Sequence, residues 1–235
     1  QDPYLAPFFD KNQDGIYSPS AGDYPGYDLV SGDGYGECQK VNCVPVDQLF
    51  GDESLFWVFN DKGNIHAETG GQPIGLEIRA QAFGFFTDDE INNMTFYNYR
   101  IFNRSTFRVD ACYFGVWCDA DVGDYLDDYV GCDVKRGLGY TYNADNDDAV
   151  SGGGYGANPP AVVIDFFRGP IADAGDGKDN DRNCSTDEAC EQIIMSGFLY
   201  YDNETSAKGN PAGAVHFYNY LRMKWGNGLP VQYGA

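Results

Sequence analysis

Of the 36 acidic side chains in this chain, 28 are aspartate and only 8 are glutamate. That imbalance constrains the fold more than any other feature. Glutamate is the better helix former, whereas aspartate competes for backbone hydrogen bonds and collects in turns and in oxygen cages around hard cations. The 30 glycines, 18 tyrosines and 16 phenylalanines point the same way, toward strands joined by tight loops. The expectation is an all-β, loop-rich, secreted chain that binds hard cations.

The net charge of -21 excludes the basic footprint that nucleic-acid binding needs, and it opposes docking on anionic lipid. No run approaches the roughly 18 apolar residues of a membrane helix, so no membrane insertion is expected. The length of 235 residues suits one large domain or two small ones.

Period-two alternation supplies the strands. Runs are predicted at Leu55 to Asn60, Ile74 to Phe86, Thr95 to Asn103, Phe107 to Trp117, Val130 to Tyr142, Ala161 to Phe167, Gln192 to Tyr201 and Val215 to Trp225. Gly/Asp/Asn turns separate them. Asp88 to Asn93 reads as one helical turn, and nothing else looks helical. The prediction is an antiparallel β-sandwich, jelly-roll-like, over residues 54–235, with most aromatics in its core. Residues 1–53 form an irregular, cation-pinned flank.

Four acidic constellations are candidate calcium sites. In the first, Asp10, Asn12 and Asp14 hold positions 1, 3 and 5 of an EF-type loop and Gly15 the turn, with the Ile16 carbonyl as a further ligand. The terminal glutamate is missing, and Asp23 is the expected substitute. With no flanking helices, the loop resembles thrombospondin type 3 or dockerin loops. The second constellation runs from Asp176 through Asp179, Asp181, Asn183 and Asp187 to Glu188. It resembles a short metal-binding motif of secreted bacterial proteins. The third holds Asp119, Asp121, Asp128 and Asp133, inside a stretch whose carboxylates repel unless a cation or solvent intervenes. The fourth, Asn143, Asp145 and Asp147, has the spacing without the turn glycine. Magnesium fits less well, because it demands strict octahedral geometry.

Seven cysteines support an oxidising exterior. Zinc is the rival reading, but there is no C-x-x-C pair and there are only two histidines. The predicted disulfides are Cys38–Cys43, Cys184–Cys190 and Cys118–Cys132. Cys112 is left over, buried or bridging to another chain.

A catalytic reading has little to stand on. His66 and Glu68, with Glu77 or His216, are the available acid/base groups, and paired carboxylates would suit glycoside cleavage. No nucleophile elbow, zinc-protease helix motif or phosphate loop is present.

The stretches from Trp57 to Glu77, from Asp128 to Tyr140, from Asn158 to Phe167 and from Tyr218 to Arg222 carry a family likeness. Together with both Asp loops, they resemble large secreted Bacteroidota-type proteins exported through the type IX secretion system. The resemblance implies a secreted, cell-surface location more than an activity. It also implies a longer product, of which this chain is a segment. The expected function is a calcium-stabilised structural or adhesive module, or filament subunit, that self-associates. The alternative is a domain that binds or cleaves surface glycans.

Overall fold

The alternating runs of the first half build an antiparallel meander. The computed structural model describes residues 8–9, 11–16, 18–25, 50–63 and 65–232. The chain divides into two compact units, Gln1–Cys112 and Tyr113–Ala235. Every strand pair is antiparallel and the protein is all-β, with one α-helix among the described residues. No described helix is long and apolar enough to cross a membrane.

In the first unit, β1 (Phe8–Phe9) and β2 (Tyr24–Pro25) pair in a short clasp. Strands β3 (Glu53–Asn60), β4 (Leu76–Gly84) and β5 (Thr95–Asn103) form a sheet in that order. Aspartates close its connections, as the composition led one to expect. Both oxygens of Asp61 accept backbone amides from the segment entering β4: Ile74, Gly75 at 3.0 Å and Leu76 at 2.8 Å. Asp89 caps the 3-10 turn Glu90–Asn93 through the Ile91 amide at 3.1 Å, which matches the single predicted helical turn.

In the second unit, β6 (Asp128–Asp133), β7 (Leu138–Asn143) and β10 (Ala161–Asp165) form a sheet ordered β10-β7-β6, while β8 (Asp147–Asp148) pairs with β9 (Gly156–Ala157). The predicted run Val130 to Tyr142 is thus a hairpin. Its turn is set by the Arg136 amide on the Asp133 carbonyl at 3.1 Å and by Gly137 at φ +78°.

Three predicted strands are corrected. Phe107 to Trp117 is irregular, because Asn103 and Ser105 turn the chain back on the Phe107 carbonyl and Ala111 sits at φ +51°. Gln192 to Tyr201 makes only the bridge Ile171↔Gln192. Val215 to Trp225 contains α1, Ala214–Leu221. The more buried positions there are His216, Asn219, Tyr220 and Met223, spaced for a helix. Three of the four are not simple aliphatics, so hydrophobic periodicity does not report them.

The expected aromatic core is also corrected. The buried hydrophobic residues among those described are Ala80, Val122 and Tyr220. Trp57, Tyr97, Tyr99, Trp117 and Phe167 are exposed, because the sheets are only three strands wide and leave large side chains at their margins.

The disulfide scheme fares similarly. Cys112, Cys118, Cys132 and Cys184 are free thiols, and Cys112 is exposed rather than buried. Cys132 is fixed in the ladder opposite Gly139, while Cys118 lies in the exposed run before β6, so that pair is not closed. Cys190 is disulfide-bonded, but its partner is not among the described cysteines. Cys184 is instead drawn toward Asp179, whose Oδ2 accepts its amide at 3.0 Å. The predicted Cys38–Cys43 pair lies outside the described residues.

Candidate metal centre

Among the described residues, one group of side chains could hold a metal ion. Asp179, Asp181 and Glu191 each offer a carboxylate oxygen, and these oxygens lie within 4.8 Å of one another. Glu191 is 5% exposed and the two aspartates are partly buried.

The loop that presents the aspartates is wound around its own carboxylates. Asp179 accepts the amides of Asn183 and Cys184, both at 3.0 Å. Asp181 accepts the Asn183 amide at 3.2 Å and its side-chain Nδ2 at 2.9 Å. Glu191 arrives from the segment that runs beside residues 170–172. The Ala172 amide donates to the Glu191 carbonyl and the Ile193 amide to the Pro170 carbonyl, each at 2.9 Å. The Glu191 side chain accepts the Asn180 amide, which locks it onto the aspartate loop.

Charge is poorly balanced here. Lys178 lies 3.5 Å from Asp176, and Arg182 donates to the Met195 carbonyl at 3.0 Å. Among the described residues neither base forms an ion pair with the three carboxylates. Like charges at such separations repel by on the order of 3 kcal/mol per pair at an effective dielectric near 20. Glu188 is nearby: its Oε1 accepts Asn183 Nδ2 at 2.5 Å, and its Oε2 is buried without a hydrogen-bond partner. Oxygen-only donors with an uncompensated negative charge suit a hard cation.

The sequence therefore finds Asp179 and Asp181 and misses Glu191. Asn183 serves as a donor to both aspartates rather than as a third carboxylate-like ligand. Asp187 accepts the Gly177 amide at 3.2 Å and closes the outer turn. Asp176 accepts the Lys178 amide at 2.9 Å, and that bond, helped by Asn180, holds its carboxyl below the ordinary range despite some burial.

The described residues of the other constellations bond within their own turns. Asp10 lies outside the described residues. Asn12 and Asp14 bond each other at 2.8 Å, Asp14 accepts the Ile16 amide at 2.7 Å, and Gly15 takes the turn at φ +75°. Asp23 is buried and closes the loop, accepting the Lys11 and Ser18 amides at 2.9 Å each. Asp119 and Asp121 are exposed, and Asp128 accepts the Val122 amide at 2.8 Å. Asp133 is taken up by Arg136, its amide at 3.1 Å and its guanidinium at 3.4 Å. Asn143 accepts the Asp145 amide, and Asp145 accepts the Asp147 amide, a chain of Asx turns.

Three of the four candidate acid/base groups are engaged elsewhere, and Glu68 is exposed. His66 Nδ1 lies 3.1 Å from the Gly71 carbonyl and Nε2 lies 2.5 Å from that of Asp61. His216 Nδ1 accepts the Ala212 amide at 3.1 Å. Glu77 is bound by Arg79 at 2.9 Å and Arg104 at 3.2 Å, and both guanidiniums lie over the Phe102 ring. Burial raises the Glu77 carboxyl, but the Arg104 and Arg79 hydrogen bonds outweigh it and hold the group below its ordinary 4.5. A depressed carboxylate stabilises the fold above its unfolded value, and that contribution is lost as pH falls through the folded value. Glu77→Gln is therefore expected to lower stability at neutral pH and to flatten the acid limb of the unfolding curve below about pH 4.5. An unchanged acid limb in urea titrations across pH 3 to 7 would contradict this.

No protein-family model, curated protein or solved structure matches this chain.

Proposed function

We propose that the chain is a secreted, calcium-stabilised structural or adhesive module that works at the bacterial cell surface without turnover chemistry. The observation that carries this reading is the convergence of Asp179, Asp181 and Glu191, with no base paired to them among the described residues. Calcium is the natural occupant: it accepts six to eight oxygens in flexible geometry, and carbonyls or water can complete the shell. Millimolar calcium outside the cell keeps even weak sites filled. The resemblance to type IX-exported surface proteins supports the location. The Asp-closed turns support a rigid, loop-rich body, and the engagement of Glu77 in an arginine clamp supports a structural role for that group.

The test is thermal unfolding of the full chain in chelator and in calcium. Calcium at a hundredfold over its Kd should add about 2.7 kcal/mol, read as a rise of several degrees in Tm. Glu191→Gln keeps an oxygen for the Asn180 amide but removes the charge, so it should abolish most of that rise. Asp119→Asn, at an exposed position, should leave the rise intact. A melting curve indifferent to calcium, with no metal found by elemental analysis, would defeat the calcium reading.

A further inference from the structure

The run 111–118 alternates like a strand yet joins no ladder. None of its residues is charged, in a chain whose net charge is -21, and Tyr113, Val116 and Trp117 are strand formers. Past the kink at Ala111, residues 112–122 run without a turn or a bend. The odd-numbered positions meet the second unit. The Tyr113 ring lies edge-on to Tyr218 at 5.7 Å, a Cβ on Gly115 would lie 2.5 Å from Leu221 Cδ2, and Trp117 Nε1 donates to the Tyr201 hydroxyl at 2.7 Å. The backbone is not engaged in the same way: Tyr113, Gly115 and Trp117 make no backbone hydrogen bond with any described residue. Val116 is 57% exposed and Trp117 69%. Cys112 and Cys118 are exposed free thiols, each three residues from Gly115.

We propose that this run pairs with the same run of a second copy, antiparallel about a two-fold axis at Gly115, and that two Cys112–Cys118 disulfides between the copies seal the pairing. The proposal rests on the extracellular-module reading above, because the bridges need an oxidising exterior, and it gives that module a contact. Three observations select a second copy. The first is the backbone. Alternate residues of a strand present their amide and carbonyl to the same edge, so Tyr113, Gly115 and Trp117 share one. A partner centred on Gly115 sets Tyr113 opposite Trp117 of the second copy and Gly115 opposite Gly115, and each opposed pair exchanges both hydrogen bonds. The second is charge. Strand edges are commonly guarded by charged side chains, and this one is bare. The nearest acids, Asp110 and Asp119, lie outside the run, and Asp110 is paired with Arg108 at 2.5 Å. The third is the thiols. The same register sets Cys112 opposite Cys118 of the second copy, with both side chains on one face. They form a non-hydrogen-bonded pair with Cα atoms roughly 4.5 Å apart, inside the roughly 4.4–6.8 Å that a disulfide spans. Within one copy, six extended residues hold the two Cα atoms about 20 Å apart, so only a second copy can join them. Each bridge forms one S–S bond from two thiols. The two electrons and two protons pass to a low-molecular-weight disulfide, which is reduced to its two thiols.

The experiment uses the full chain in two redox states. Sedimentation over a concentration series in a thiol reductant, with calcium and with chelator, should show a dimer that dissociates on dilution. After incubation with oxidised glutathione the dimer should survive dilution and non-reducing electrophoresis. An equal mixture of isotopically light and heavy chains should then yield a Cys112–Cys118 peptide pair with one half from each. Cys112→Ser and Cys118→Ser each remove one thiol from both bridges, so neither variant alone should give a covalent dimer through these positions. Mixing the two variants should restore one bridge. Val116→Glu puts a charge on the exposed edge and should raise the dissociation constant of the reduced dimer on the order of tenfold. Phe86→Glu, at an exposed position in the first unit, should leave it unchanged. Absence of the mixed-isotope peptide from the oxidised sample overturns the proposal, whether the chain is then a monomer, a dimer joined through other cysteines, or bridged from Cys112 to Cys118 within one copy. Single variants that bridge as readily as the wild type overturn it as well. A dimer that persists in chelator, while the melting curve ignores calcium, upholds the strand pairing and defeats only the metal reading.

Discussion

Replacing Asp148 by alanine should destabilise the protein by roughly 3 kcal/mol, among the largest single-site losses expected in the chain. Asp148 is fully buried, although it is an ionisable residue in a two-residue strand. Its Oδ1 accepts the Asp124 amide at 3.0 Å and its Oδ2 accepts the Tyr155 amide at 2.6 Å. Alanine would leave two part-buried amides without that acceptor; a buried donor that loses its partner costs about 1–3 kcal/mol, and more where the lost partner was charged. Asparagine preserves the shape but presents an NH₂ to one of the two amides, so it should recover less than half of the loss. The surroundings admit nothing larger. A Cβ on Gly123 would lie 1.9 Å from Asp148 Oδ2, and one on Gly154 would lie 2.1 Å from Oδ1. Chemical denaturation of the full chain measures the effect; a loss under about 1 kcal/mol for the alanine variant would show that the carboxylate does not hold these loops.

Gly169→Ala should cost a comparable amount and should also silence the metal response. A Cβ there would lie 1.7 Å from the Ile193 carbonyl oxygen, a backbone atom that cannot swing aside. The approach it prevents is the one that delivers Glu191: the bridge Ile171↔Gln192 and the flanking Ala172 and Ile193 amide bonds. Pushing these segments apart moves Glu191 away from Asp179 and Asp181 without touching a ligand. The matched control is Gly175→Ala. Gly175 has φ +74°, and a Cβ added there would meet nothing within 4 Å, so only left-handed backbone strain of about 1 kcal/mol applies. If Gly169→Ala retained the full calcium-induced rise in Tm, the path by which Glu191 reaches the site would be wrong.

The parts of the fold that the sequence made legible are those in which one physical signal acts alone. Strand β5 alternates without interruption from Thr95 to Asn103 and is bounded as predicted. Helix α1 was hidden because the face it buries is made of His216, Asn219, Tyr220 and Met223 rather than of aliphatics. Tyr220 explains why that face is buried at all, since its hydroxyl reaches the Ala207 and Gly209 carbonyls. The candidate site divides along the same line. Asp179 and Asp181 share one loop, so their spacing is readable. Glu191 joins them through a tertiary contact, which no local pattern encodes. Asp148 illustrates the converse. It stands at the end of an acidic run that reads as a candidate calcium loop, yet it is buried more deeply than any other described carboxylate.

Between Asp176 and Glu191, Arg182, Cys184, Asp187 and Cys190 all adopt positive φ, between +56° and +76°. L-amino acids other than glycine enter that region at a cost of about 1–2 kcal/mol each, less for aspartate. The polypeptide's own handedness therefore works against this shape. What opposes it is a set of backbone amides converging on ionised oxygens, among them Asn183 and Cys184 on Asp179 and Gly177 on Asp187. The loop resembles a drawn spring whose catch is electrical. Its geometry belongs to the negative charge it encloses.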